Sequence, residues 1–215
     1  MSIKRSVPQV LLMGDLVLDS SFLVDGPRIV SWPRDHSLSF ASTRKDHAGG
    51  TALAAAVAAL EVPNVRPIPF SAVGDDLAGQ RIVEELAHLG ISTELVWTVE
   101  DRETLTSVMI YFMQGGERLL LRPKAAGAVG STDELIASAC ERIGGGEVRA
   151  VLLSGYWLGL DRPTCRKASQ AIYREARRSG AFFMVDLVPH AFFEQVGDFD
   201  FVESAIGGKP DLVIS

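Results

Sequence analysis

Cysteine is scarce: the chain holds two, Cys140 and Cys165, with no Cys-x-x-Cys spacing. Both fall in stretches that read as helix, which predicts free thiols in a reduced, cytoplasmic protein and argues against a disulfide framework. Long apolar runs are also missing. The start carries two basic residues and then only the short run 10–13 before Gly14 and Asp15, too little for a signal-peptide core or a membrane span. Net positive charge is lacking: the formal net charge is -6 and the pI is near 5.2. That leaves no electrostatic footprint for nucleic acid or an anionic membrane, so the expected partner is a small molecule. No G-x-x-x-x-G-K-[ST] loop, G-x-G-x-x-G or G-x-S-x-G occurs, which removes support for P-loop, dinucleotide-binding and nucleophile-elbow chemistry. His36, His47, His88 and His190 are scattered without the spacing of metal ligands, so no metal site is expected.

What is present is an ordinary α/β composition, 47% hydrophobic and 22% charged over 215 residues, enough for one large domain with its own core. Short apolar runs of strand length recur at 9–13, 68–73, 150–154, 182–185 and 211–214, each reading as a buried parallel strand. Between them lie helical periods. The segment 77–89 places Ile82, Val83, Leu86 and Leu89 on one stripe, with Asp76 as N-cap and Gly90 just past the end, and 163–179 stops at Gly180. Strand alternating with helix predicts a parallel sheet covered on both faces. Two stretches break the rhythm. In 22–44 no helix is evident and Leu38, Phe40 and Ser42 alternate; in 104–122, Val108, Ile110 and Phe112 alternate, Gly115-Gly116 offers a turn, and Leu119 and Leu121 return. Both read as antiparallel strands of a small second sheet, either a lid over a ligand site or plain edge strands and hairpins.

Three motifs carry chemistry. His47-Ala48-Gly49-Gly50-Thr51-Ala52 opens a small-residue helix; paired glycines let backbone approach a ligand, and the helix start offers unpaired N–H groups to sugar hydroxyls. The same residues also suit a Gly-Ala-rich helix packed tightly on a sheet. Gly14-Asp15-Leu16-Val17-Leu18-Asp19 follows the first strand, where ligands of open α/β sheets gather. Asp19 is the carboxylate chosen to accept hydrogen bonds from vicinal hydroxyls, and Asp15 the one expected to satisfy backbone in the turn. Val73-Gly74-Asp75-Asp76-Leu77-Ala78-Gly79 is a capped strand-to-helix turn and reads as scaffold. Gly144-Gly145-Gly146 reads as a helix-to-strand turn.

The ordered set, Gly14 and Asp19, Gly49-Gly50 before an Ala-rich helix, Gly74-Asp75-Asp76 with Gly79, then Gly90-Ile91, resembles the N-terminal signature of the ribokinase-like (PfkB family) carbohydrate kinases. The likeness continues through 104–122, 152–156, Val185-Asp186 and 210–215. It implies a three-layer α/β/α sheet with a small β lid made by about 22–44 and 104–122. It further implies a transferase that moves the γ-phosphoryl of ATP, with Mg²⁺, to a sugar hydroxyl. Carried over by position, Asp19, Gly49, Gly50 and Thr51 would bind the sugar while the lid excludes water.

Departures refine the expectation. Ala54 stands where the family usually has Asn, and Val17 where ribokinases proper have Asn. Relatives that accept sulfonated hexoses can carry Ala in this helix, and kinases of 2-keto-3-deoxy sugar acids place an Arg where Arg122 stands. By resemblance, Arg122 is therefore a substrate residue for an acidic sugar, its planar fork matching a carboxylate or sulfonate. The family's Asn-x-x-Glu and Gly-Ala-Gly-Asp segments do not occur in the 215 residues. The expectation is a single truncated ribokinase-like domain over 1–215, holding the acceptor site but no catalytic residue and little of the ATP and Mg²⁺ site. Such a chain would be inactive alone and stabilised by self-association or by a longer context. The competing expectations are a non-catalytic sugar-binding or regulatory module, and an assembly protein that forms a homodimer through its lid.

Overall fold

The computed structural model describes residues 7–27, 44–114, 118–121, 127–160, 162–187 and 199–214. In chain order they form β1 (Gln9–Met13), β2 (Val17–Pro27), β3 (Lys45–Gly49), α1 (Thr51–Leu60), β4 (Arg66–Gly74), α2 (Leu77–His88) and β5 (Val96–Val99). Next come β6 (Thr106–Gln114), β7 (Arg118–Leu121), α3 (Asp133–Gly144), β8 (Val148–Ser154), α4 (Gly155–Leu160) and α5 (Arg162–Ser179). The last elements are β9 (Phe182–Asp186), α6 (Phe199–Ile206) and β10 (Leu212–Ile214). The expected α/β class is the observed one.

The main sheet has six strands in the order β10-β9-β8-β1-β4-β5, and every pair in it is parallel. From β1 the chain winds outward through β4 to β5, then returns to the other side of β1 and winds out through β8, β9 and β10. The winding direction therefore reverses between β1 and β8. Such a switch point opens a crevice at the carboxyl ends of the two strands, because the connections leaving them diverge to opposite faces.

One core lies between the sheet and α3, α4, α5 and α6, with Leu11, Met13, Phe70, Val151, Phe183 and Trp157 at its centre. Trp157 is 1% exposed, meets the Phe70 ring edge-on at 5.8 Å and donates its indole N–H to the Cys165 carbonyl at 3.3 Å. The opposite core joins Leu12, Leu16 and Val73 to α1 and α2. This second layer is incomplete among the described residues. Phe182 is 46%, Leu212 44% and Ile214 45% exposed, so β10 is parallel as expected but not buried. Parallel sheets are normally covered on both faces, and Phe182, Leu212 and Ile214 depart from that pattern among the described residues.

The second sheet has the order β3-β2-β6-β7. The β6/β7 pair is antiparallel, as the sequence predicts; β2/β3 is antiparallel too but pairs residues 17–21 with 45–49, outside the expected 22–44, and the central pair β2/β6 is parallel. The reason is topological: β2 continues from β1 and β6 follows β5, and both parent strands point the same way. Alternation puts Val24, Ile110 and Phe112 on a buried face with Val108 and Leu119 beside them. Leu23, Tyr111, Met113 and Leu120 lie on the other face and are exposed. Leu38, Phe40, Ser42 and the Gly115-Gly116 turn lie outside the described residues.

Candidate functional site

The start of α1 is built by three pieces of chain meeting. Gly50 is its N-cap at φ 94 with no side-chain cap of its own. A Cβ there would fall well inside contact distance of the Asp15 carbonyl, so glycine is required both for the dihedral and for the space. The cap comes instead from Asp15, whose Oδ1 accepts from the Thr51 N–H at 3.0 Å and from the Thr51 hydroxyl at 2.5 Å. The Asp15 carbonyl accepts from the Ala52 N–H at 3.2 Å. Asp15 is 3% exposed, so this carboxylate holds the β1–β2 turn to the helix start rather than facing a ligand.

Asp19 sits on β2 directly across from His47 of β3, two positions before Gly49. Its Oδ1 accepts a hydrogen bond from the hydroxyl of Ser107 on β6, which is 2% exposed. Its Oδ2 overlies Gly49 so closely that a Cβ at that glycine would collide with it. The carboxylate is thereby oriented over paired-glycine backbone, half-buried, with lone pairs not used by Ser107. On the other face of β3, Asp46 accepts from Arg44 Nε at 2.6 Å and from the Ser20 hydroxyl at 2.7 Å. The Arg44 guanidinium and the Ser20 hydroxyl hold its carboxyl below the usual range against the opposing effect of desolvation. Arg81 of α2 donates to the Asp46 carbonyl at 3.0 Å, and the Ala48 N–H donates to Glu85 of α2 at 3.0 Å. These bonds fasten β3 to the main body.

A cavity of about 250 Å³ opens beside this assembly, lined by Leu12 and Met13 of β1, Thr51, Ala52, Ala54 and Ala55 of α1, Leu152 and Ser154 of β8, and Asp186 of β9. It lies at the switch point between β1 and β8, under the first turns of α1. Of the sequence-predicted residues, Thr51 lines it, Asp19, Gly49 and Gly50 stand just outside at the base of the second sheet, and Arg122 lies outside the described residues. Ser154 and Asp186, not named as site residues from the sequence, also line it. Each is the last residue of an apolar strand run, which was the available signal.

The expected capping Asp is observed at the Gly74-Asp75-Asp76 turn, and it reaches further than expected. Asp76 accepts from the Gly79 N–H at 2.8 Å, the Thr104 N–H at 2.9 Å and the Thr104 hydroxyl at 2.6 Å. Desolvation would raise its pKa, but the Thr104 hydroxyl and the N–H groups of Thr104, Gly79 and Ala78 outweigh it and hold the carboxyl below the usual value. The turn thus buckles α2 to the segment that launches β6.

No protein-family model matches the chain, and no curated protein matches it in sequence. Solved structures do. A ribokinase from Giardia lamblia superposes with a TM-score of 0.73 at 18% identity, over 96% of this chain and 61% of that one. A ribokinase from Arabidopsis thaliana, complexed with ribose and ATP, gives 0.62 at 16% identity, over 94% of this chain and 68% of that one. A Burkholderia thailandensis nucleoside kinase in complex with inosine gives 0.56 at 16% identity, over 83% and 52%. The fold is therefore the ribokinase-like sugar-kinase fold. The chain spans 61% of the Giardia lamblia ribokinase and 54% of a further matched structure, that of Sa239.

Proposed function

We propose that this chain forms the acceptor-binding part of an ATP-dependent kinase that phosphorylates a hydroxyl of a sugar or sugar acid. The observation that carries the reading is the convergence at the switch point: Asp19 aimed over Gly49, the α1 start fixed by Asp15, and a small cavity beneath them. In this reading Asp19 accepts hydrogen bonds from two hydroxyls of the sugar, and the backbone of Gly49, Gly50 and Thr51 forms the close wall of the site. The second sheet, carried on β2 and β6, acts as the lid that excludes water, with Arg122 the residue for an acidic substrate group.

ATP with Mg²⁺ would supply the phosphoryl group and the charge neutralisation for its transfer. In this reading the nucleotide half is built by residues other than those described. Among the described residues the cavity lining contains one carboxylate, Asp186, and no Lys or Arg. Among the described residues no group of three or more His, Cys, Asp or Glu side chains is placed to hold a metal ion. That donor set also favours a second reading, a sugar-binding module without catalysis.

Calorimetric titration of the 215-residue chain with ribose and with gluconate tests the acceptor site. An Asp19→Asn change is expected to weaken whichever ligand binds by about tenfold, as loss of a charged acceptor does, while the circular dichroism is unchanged. Unchanged affinity refutes the role of Asp19. Phosphorylation of a sugar by the 215-residue chain with MgATP would refute the placement of the transfer chemistry elsewhere.

A further inference from the structure

A second cavity, of about 370 Å³, lies on the opposite face of the main sheet from α1 and is independent of the acceptor site. It is lined by Leu158 of α4, Pro163 and Arg166 of α5, and Phe201 and Ala205 of α6. Leu158 and Ala205 belong to the buried core at 2% and 1% exposure, so the floor is apolar and well anchored.

Arg166 is the charged side chain among the described residues of this cavity. The other described basic side chains of α5 are matched to oxygen: Lys167 to Asp133 at 2.5 Å, Arg174 to the Gln170 carbonyl at 3.2 Å, Arg177 to Asp211 at 2.5 Å and Arg178 to Glu175 at 2.5 Å. Arg166 has no carboxylate partner among the described residues. One of its terminal nitrogens donates to the Ser204 hydroxyl at 2.9 Å, and its guanidinium carbon stands 5.9 Å from the Phe201 ring centroid. Those two contacts fix the planar head at the cavity while leaving guanidinium N–H groups open to an acceptor.

We propose that this cavity binds a small organic carboxylate with an aromatic or branched apolar body, the carboxylate taken by Arg166 and the body seated on Leu158, Pro163, Phe201 and Ala205. A guanidinium pairs with a carboxylate through parallel charge-assisted bonds, and an apolar wall on each side lowers the local dielectric that would otherwise weaken the pair. An inorganic anion would satisfy Arg166 but not the apolar walls; a neutral apolar compound would leave the guanidinium unmatched. α4 begins directly after the cleft residue Ser154 and contributes Leu158 to this cavity.

The probes are benzoate and its neutral isostere benzamide, titrated calorimetrically into the 215-residue chain. Benzoate is expected to bind at least about tenfold more tightly than benzamide, the difference made by a hydrogen-bonded charge. Arg166→Met should erase that gap, and Arg166→Lys, which keeps the charge without the planar fork, should leave part of it. Circular dichroism and thermal melting establish that both variants fold, as expected for an exposed helix position. Fluorine NMR of 4-fluorobenzoate gives a second readout of the same complex. Equal affinity for the two probes, a gap that survives Arg166→Met, or no benzoate binding at millimolar concentration would each overturn the proposal.

Discussion

Removing the Asp76 carboxylate is expected to cost this fold more than any ordinary helix cap. The capping bond to the Gly79 N–H accounts for about 1 kcal/mol. The same carboxylate also accepts the N–H and hydroxyl of Thr104, a residue 3% exposed, whose hydroxyl in turn accepts from the Gly74 N–H at 2.9 Å. Stranding those donors adds about 1–3 kcal/mol, so Asp76→Ala should lower the unfolding free energy at neutral pH by roughly 2–4 kcal/mol. Urea denaturation followed by circular dichroism reads this as a drop in midpoint of about 1 M. The folded pKa of Asp76 lies below its ordinary value of 3.8, so its stabilisation is complete above that pH and is lost as pH falls through the lower folded value. The gap between wild type and Asp76→Ala should accordingly be constant from neutral pH down to about pH 5 and narrow below 3.8. Asp76→Asn keeps an acceptor oxygen without the charge and should fall between the two. A loss under about 0.5 kcal/mol, or a gap that widens on acidification, would refute the buckle as a charged hydrogen-bond centre.

Gly50→Ala should destabilise the protein by about 2 kcal/mol or more, because φ 94 strains an L-residue and the added Cβ meets the Asp15 carbonyl; a thermal midpoint equal to wild type would show that the α1 start relaxes freely. Both thiols should react slowly with a disulfide reagent at neutral pH and quickly in urea. Cys165 is fully buried, while burial, reinforced by Glu175 and opposed by Arg174, pushes the Cys140 thiol up. A fast-reacting equivalent in the native protein would contradict that.

Much of the main sheet was legible because a parallel strand buried between layers is an apolar run of fixed length, as at Leu11–Met13 or Val151–Leu153, and an amphipathic helix advertises both its stripe and its stops, as α2 does with Asp76 and Gly90. β5, Val96–Val99, was not legible, since four partly covered residues at a sheet edge carry neither a long run nor an alternation. β3 was hidden as well: Lys45–Gly49 has no apolar pattern and becomes a strand because β2 pairs with it and α2 anchors it through Arg81 and Glu85. Ser154 and Asp186 gave no chemical signal in sequence, because a polar residue ending a strand looks the same whether it faces solvent or a cleft.

The local pattern by itself determined the α/β class, the capped turns and the glycines that need unusual backbone, since each depends on neighbours within a few residues. Tertiary structure alone decided three things: that β2 and β6 run parallel, that Asp15 caps α1 while Asp19 overlies Gly49, and that Arg166 stands beside an apolar cavity with no carboxylate partner among the described residues. Each of these depends on which distant segments are brought together, and chain separation of tens of residues leaves no periodicity for a sequence to display.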